Sequence, residues 1–300
     1  MFKKFRKEII LTLGVIALCC VTVFAVDAVF LTEEGEKQAE VEFADHEHFE
    51  EGYIEVDVHV VLADPAEEQM VLELEFTPYG RFDEGDGLLA VPLEVDVSSL
   101  AGKPITFDAG KRMYPQEIEI DFYEGEVEEY PFDEHRALFE IVISEDISAD
   151  GNWSSVPTEL DFLGYHHGYT FHDDPLPPSP HGYLGYDIHL TRSPLVIGTV
   201  IFWMATIWGL TIINLALLVG VLLGRVKADF GLFGYMSGFI VAMYFFREMF
   251  PDIPPFLGVL SDYMSVFWAI LVAAGIANIV AIKWLIAVFK DEDGEADSIG

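Results

Sequence analysis

Three apolar runs, residues 194–223, 230–246 and 256–289, dominate the second half of the sequence. A helix needs roughly 17–25 apolar residues to cross a bilayer, so each run reads as a membrane span. The polar breaks at 224–229 and 247–255 are short. Spans joined so tightly must run antiparallel as packed neighbours. Everything before residue 194 is therefore delivered to, and held beside, this bundle.

A fourth apolar run covers residues 9–31 and follows Lys3, Lys4, Arg6 and Lys7. Its length predicts an uncleaved span, while Val23-Phe24-Ala25 also fits a signal-peptide cleavage site. Cys19 and Cys20 sit inside this run and cannot staple a soluble domain. Cationic loops stay on the cytoplasmic side. With the N-terminus inside, the predicted spans place Arg225, Lys227, Lys283 and Lys290 inside and Arg247 outside. The predicted architecture is a multi-pass protein of the cell membrane with both termini cytoplasmic: an anchor at 1–31, an extracytoplasmic domain at 32–193, a three-helix bundle at 194–290 and an acidic, unstructured tail at 291–300.

Hydrophobic residues make up 52% of the chain, yet its formal charge is −35. The charge is concentrated: residues 32–193 hold 40 of the 51 acids and all nine His. Such a surface excludes nucleic acid, which needs a basic footprint. It suits a salt-rich medium, where self-repulsion is screened, and offers cation binding as the other reading.

Residues 32–50 read as an acidic stalk. Tyr53 to Val60 then alternates apolar and polar, the mark of a half-buried strand. Similar runs at 70–76, 88–97, 117–122, 138–143, 159–162 and 183–190 are separated by Pro, Gly and Asp clusters. Short strands at this density predict an antiparallel β-sandwich or barrel. The fold class is thus β + α: an external antiparallel β-sandwich on a four-helix transmembrane bundle. Asn152-Trp153-Ser154 is a glycosylation acceptor in a predicted external loop.

His46, His48, His166, His167, His172, Asp173 and Asp174 are metal-ligand types, but no ligand spacing organises them, and solvent-facing loop positions account for them. Asp83-Glu84-Gly85-Asp86-Gly87 lacks the downstream Glu of a calcium loop and reads as a turn. No nucleophile elbow or phosphate-cradling loop occurs. The expectation is a protein that is not an enzyme and needs no metal or cofactor. In the bundle, Asn214 and Asn278 are expected to hydrogen-bond between helices, and Gly231, Gly234, Ser237 and Gly238 to allow close helix approach.

Two resemblances add to this reading. Tyr130-Pro131-Phe132-Asp133, Arg192-Ser193, and residues 247–262 (REMFPDIPPFLGVLSD) before Phe267-Trp268 resemble the membrane-protein family of domain of unknown function 4436, over nearly the whole chain. That family implies architecture and no activity. More distantly, the Pro-Phe-Asp turn, Arg192-Ser193-Pro194-Leu195, and Glu248, Pro251 and Asp262-Tyr263 resemble, in order and spacing, pentameric ligand-gated channel subunits. That likeness implies coupling of the outer domain to the membrane through Tyr130, Pro131, Phe132, Asp133, Arg192, Pro251 and Asp262. It also implies a pore helix lined by Phe230, Gly234, Ser237, Val241 and Glu248. The first functional expectation is a membrane protein whose external domain binds a partner protein or ligand; the alternative is a channel-like homo-oligomer.

Overall fold

The computed structural model describes residues 43–44, 52–100, 102–146, 153–177 and 182–296. The predicted first span, most of the stalk with His46 and His48, Asn152 and residues 297–300 lie outside these. The chain divides into two compact units, residues up to Val127 with Phe132–Leu195, and Glu128–Pro131 with Val196–Gly300.

The first unit is built of strands. They are β1 (Phe43–Ala44), β2 (Ile54–Asp64), β3 (Gln69–Pro78), β4 (Asp83–Gly85), β5 (Leu88–Leu89), β6 (Leu93–Val97), β7 (Ile105–Phe107), β8 (Gln116–Gly125), β9 (Glu134–Asp146), β10 (Trp153–Ser155), β11 (Thr158–Leu163), β12 (Tyr169–Pro175) and β13 (Leu184–Arg192). Eleven of them form one sheet whose main path runs β1-β11-β2-β3-β8-β9-β13-β12, with β6 and β10 branching at β9 and β7 pairing with β6. Alternation explains the core. Ile54, Val56, Val58 and Val60 of β2 point inward with Met70, Leu72 and Leu74 of β3, and Ile141, Tyr186, Ile188 and Leu190 join the same cluster. The intervening Glu55, Asp57 and His59 stay part-exposed. Between β2 and β3, Asp64 caps a short 3-10 turn, its Oδ1 accepting from the amides of Ala66 and Glu67.

The sheet is mixed, which corrects the antiparallel expectation. β11 runs parallel to β2, pairing Thr158 with Ile54 through to Leu163 with His59. Alternation fixes which side chains are buried, and either strand direction buries the same set. The turn expected at 83–87 is the β4–β5 hairpin, where Asp86 and Gly87 have φ of 57° and 71°. An Asp-Gly pair supplies this left-handed backbone at low cost.

The second unit contains α1 (Pro194–Leu222), α2 (Phe230–Arg247) and α3 (Phe267–Ala296), the last preceded by a π-helical turn, Asp262–Val266. These are three helices long and apolar enough to cross a membrane. α1 and α3 run in the same direction: the Trp208 indole N–H donates to the Met264 carbonyl, and further along Lys283 Nζ donates to the Val221 carbonyl. Ala269, Ala273, Ile276, Ala277 and Val280 form the buried stripe of α3, and alanines there let helices approach closely. Large apolar side chains such as Ile212, Leu222, Leu271, Ile282 and Ile286 point outward, as a lipid-facing surface requires. α2 starts at Asp229, whose carboxylate accepts from the Leu232 amide.

Three expectations for this unit are corrected. Asn278 donates within its own helix, to the Ala274 carbonyl. The buried amide of Asn214 makes no hydrogen bond among the described residues. A methyl added at Gly234 or Gly238 would meet nothing within 4 Å among the described residues, so these glycines bring no helix close within this unit. Finally, α3 continues to Ala296, so the first six residues of the acidic tail are helical. Extending a formed helix avoids the cost of nucleation.

Candidate functional site

Most of the residues singled out for coupling fall into two clusters, one in each unit. In the β-unit, Asp133 begins the approach to β9 and Arg192 ends β13; both are almost fully buried. Arg192 Nε donates to both carboxylate oxygens of Asp133 at 3.0 Å, and Nη2 lies 2.9 Å from Oδ2. His135 Nε2 stands 3.0 Å from the same Oδ2. Register explains the meeting: β9 and β13 pair antiparallel, Thr191 facing Glu134 and Leu190 facing His135. The guanidinium also lies 4.4 Å from the centroid of the Tyr169 ring, a cation–π contact that β12 supplies. Burial would raise the Asp133 carboxyl, but hydrogen bonds from His135 and Arg192 and the Arg192 charge outweigh it and hold the carboxyl below its ordinary range. Phe132, between the two clusters in sequence, is exposed.

In the helical unit, Tyr130 is completely buried among Val196, Val200, Phe250 and Val259. Its hydroxyl donates to the Pro251 carbonyl, and its own carbonyl accepts from the Ser261 amide at 3.2 Å. The Tyr130–Pro131 peptide is cis. Next to Ser261, Asp262 is buried and paired with Arg247, the Nε–Oδ1 distance being 2.9 Å. Arg247 Nη2 also donates to the carbonyls of Pro254 and Phe256, and the other carboxylate oxygen of Asp262 accepts from the Gly258 amide. One ion pair thus ties both ends of the 248–261 loop and spends its donors on the loop backbone. A charge at this depth is costly unless it is so engaged.

Tyr130, Pro251 and the start of the π-turn are therefore brought together, and so are Asp133 and Arg192. Arg247, which opens the 247–262 segment named from sequence, completes the second cluster, while His135 and Tyr169 complete the first and were not singled out. A lone Arg closing one apolar run and a lone Asp opening the next signal the Arg247–Asp262 pair; nothing in the sequence marks Tyr169. Of the residues named for a pore, Phe230, Gly234, Val241 and Glu248 are exposed, and Ser237 donates to its own helix at Phe233. At 100° per residue all five lie on one stripe, opposite buried Met236, Phe239, Met243 and Arg247.

On the outer face of the β-unit, Glu55, Asp57 and Asp161 each place a carboxylate oxygen within 4.8 Å of the others, an arrangement suited to a hard cation. Burial, then the neighbouring Glu55 charge, raises the Asp57 carboxyl. Of the metal-ligand types named from sequence, His172, Asp173 and Asp174 lie in strand β12 and not in a loop.

Residues 44–190 match the family described as Domain of unknown function (DUF4436). Residues 192–287 match a second, described as Domain of unknown function (DUF8686). No curated protein matches the chain. The likeness to the first family ends at Leu190, within β13, short of the nearly whole-chain extent expected, and Arg192 is the first residue matched by the second. The stretch similar to the first description thus includes Asp133, and the stretch similar to the second includes Arg192 at the end of β13 together with Arg247 and Asp262.

Proposed function

We propose that this is a non-enzymatic membrane protein whose β-domain lies outside the cytoplasm, binds a protein partner or ligand, and is coupled mechanically to its helices. The observation that carries the reading is the path of the chain. Between β8 and β9 it leaves the β-unit for four residues, buries Tyr130 among helical residues, and returns directly into the Asp133–Arg192 pair. Three residues after Arg192 it leaves again for α1. The ion pair therefore clamps two of the strand ends through which the units are joined. A domain that served only as an inert cap has no need of this buried charge, which is costly to desolvate. The Lys and Arg distribution supports the outward orientation.

The test is cross-linking at carboxylates of the β-domain in native-membrane discs, followed by mass spectrometry. One recurrent partner attached within residues 52–177 is expected; self-links alone overturn the binding function. A second reading, a channel-like ring, is favoured by the single exposed stripe that joins Phe230, Gly234, Ser237, Val241 and Glu248. Its measurement is the mass of the detergent-solubilised particle: a ring has several copies, and a monomer or dimer ends that reading.

A further inference from the structure

We propose that the outer face of the β12–β13 hairpin binds a divalent transition-metal ion of the zinc class through His172, Asp174, Asp187 and His189. The register builds the set. His172 faces His189 and Asp174 faces Asp187, and residues two apart on a strand share a face. The four side chains thus form a two-by-two grid, with facing Cβ atoms about 5 Å apart.

The distances fit an ion. His189 Nε2 lies 3.5 Å from Asp174 Oδ2 and 3.5 Å from Asp187 Oδ2. It is shielded from solvent and makes no hydrogen bond among the described residues. Bonds of about 2.0–2.2 Å to tetrahedral zinc put neighbouring ligand atoms about 3.4 Å apart. The imidazole nitrogen therefore stands one coordination edge from a carboxylate oxygen of each aspartate, and the exposed His172 and Asp174 turn inward for all the ligand atoms to converge on one ion. The Tyr123 hydroxyl donates to Asp187 Oδ1 at 2.8 Å, which fixes that carboxylate and leaves Oδ2 for the ion.

Arg136 is the built-in competitor. Its Nε donates to His189 Nδ1 at 3.3 Å, and its Nη1 lies 3.8 Å from Asp187 Oδ2 and 3.7 Å from Glu124. A histidine that ligates through Nε2 carries its proton on Nδ1. Arg136 must then release that nitrogen and turn to Glu124, its facing residue on β8. All three of its contacts are long, so little holds it back.

The test is zinc titration of the full chain, purified in detergent and stripped with chelator, read by calorimetry and by the zinc-induced rise in thermal midpoint. One site is expected that weakens at least about 10-fold in H172Q and D174N and is lost in H189Q, while R136Q binds as tightly as wild type or tighter. Cobalt in place of zinc should give the visible absorption of a tetrahedral nitrogen–oxygen site in wild type and not in H189Q. Undiminished affinity in H189Q, which would place the metal on other histidines, overturns the proposal, as does failure of wild type to bind. Should H189Q not fold, the exposed H172Q and D174N carry the same decision.

Discussion

Asp133 accepts from both Arg192 and His135 while almost wholly out of water, so its charge cannot be removed without stranding a buried guanidinium. Breaking one side of such a pair costs roughly 3–5 kcal/mol, whereas replacing both sides with apolar groups is often near neutral. Asp133→Asn is expected to lower β-domain stability by that amount in a denaturant melt, and Asp133→Leu with Arg192→Met to recover most of it. The pH dependence follows from the direction of the shift. A carboxyl lowered from 3.8 on folding adds stability that is complete above that value and drains away as pH falls below it. A melt series from pH 6 to pH 2 should therefore be flat in its Asp133-dependent part down to about pH 4 and fall thereafter. Asp133→Asn should show no such component. Both partners of this pair were legible from short motifs, because Pro-Phe-Asp and Arg-Ser-Pro stand at strand ends. His135 was not, since a histidine one position after Glu134 on an alternating strand looks like any inward residue.

At the scale of elements, seven predicted strands are present because each carries an apolar alternation. One of them, at 88–97, is split into β5 and β6 around Pro92, which cannot donate to a ladder. β12 was missed for a physical reason: its inward positions are Tyr169, Phe171 and Asp173, and its outward ones carry His172 and Asp174, so the pattern reads as polar loop. The parallel β2–β11 pairing was equally invisible, since it joins segments about a hundred residues apart. The β8–β9 connection depends on one backbone position. Gly125 has a φ of +138°, and a methyl there would overlap His135 Nδ1 and the Glu134 carbonyl oxygen. Gly125→Ala is expected to displace His135 and cost about 1–3 kcal/mol. Chemical-shift changes at His135 would report the displacement, and an unperturbed imidazole would refute it.

At the scale of the molecule, the three C-terminal helices long and apolar enough to cross a membrane were legible from hydrophobic run length. The clusters were legible only in part, because Tyr130, Pro251 and Ser261 are far apart in sequence and meet through tertiary packing. The resulting topology bears on anyone who cuts the chain. A soluble piece ending at Ser193 looks like a complete domain, yet it carries the Glu128–Pro131 excursion with it and leaves the cover of Tyr130 behind. Such a fragment would bare an aromatic tip in water, self-associate, and be rendered monodisperse by swapping those four residues for a short polar turn.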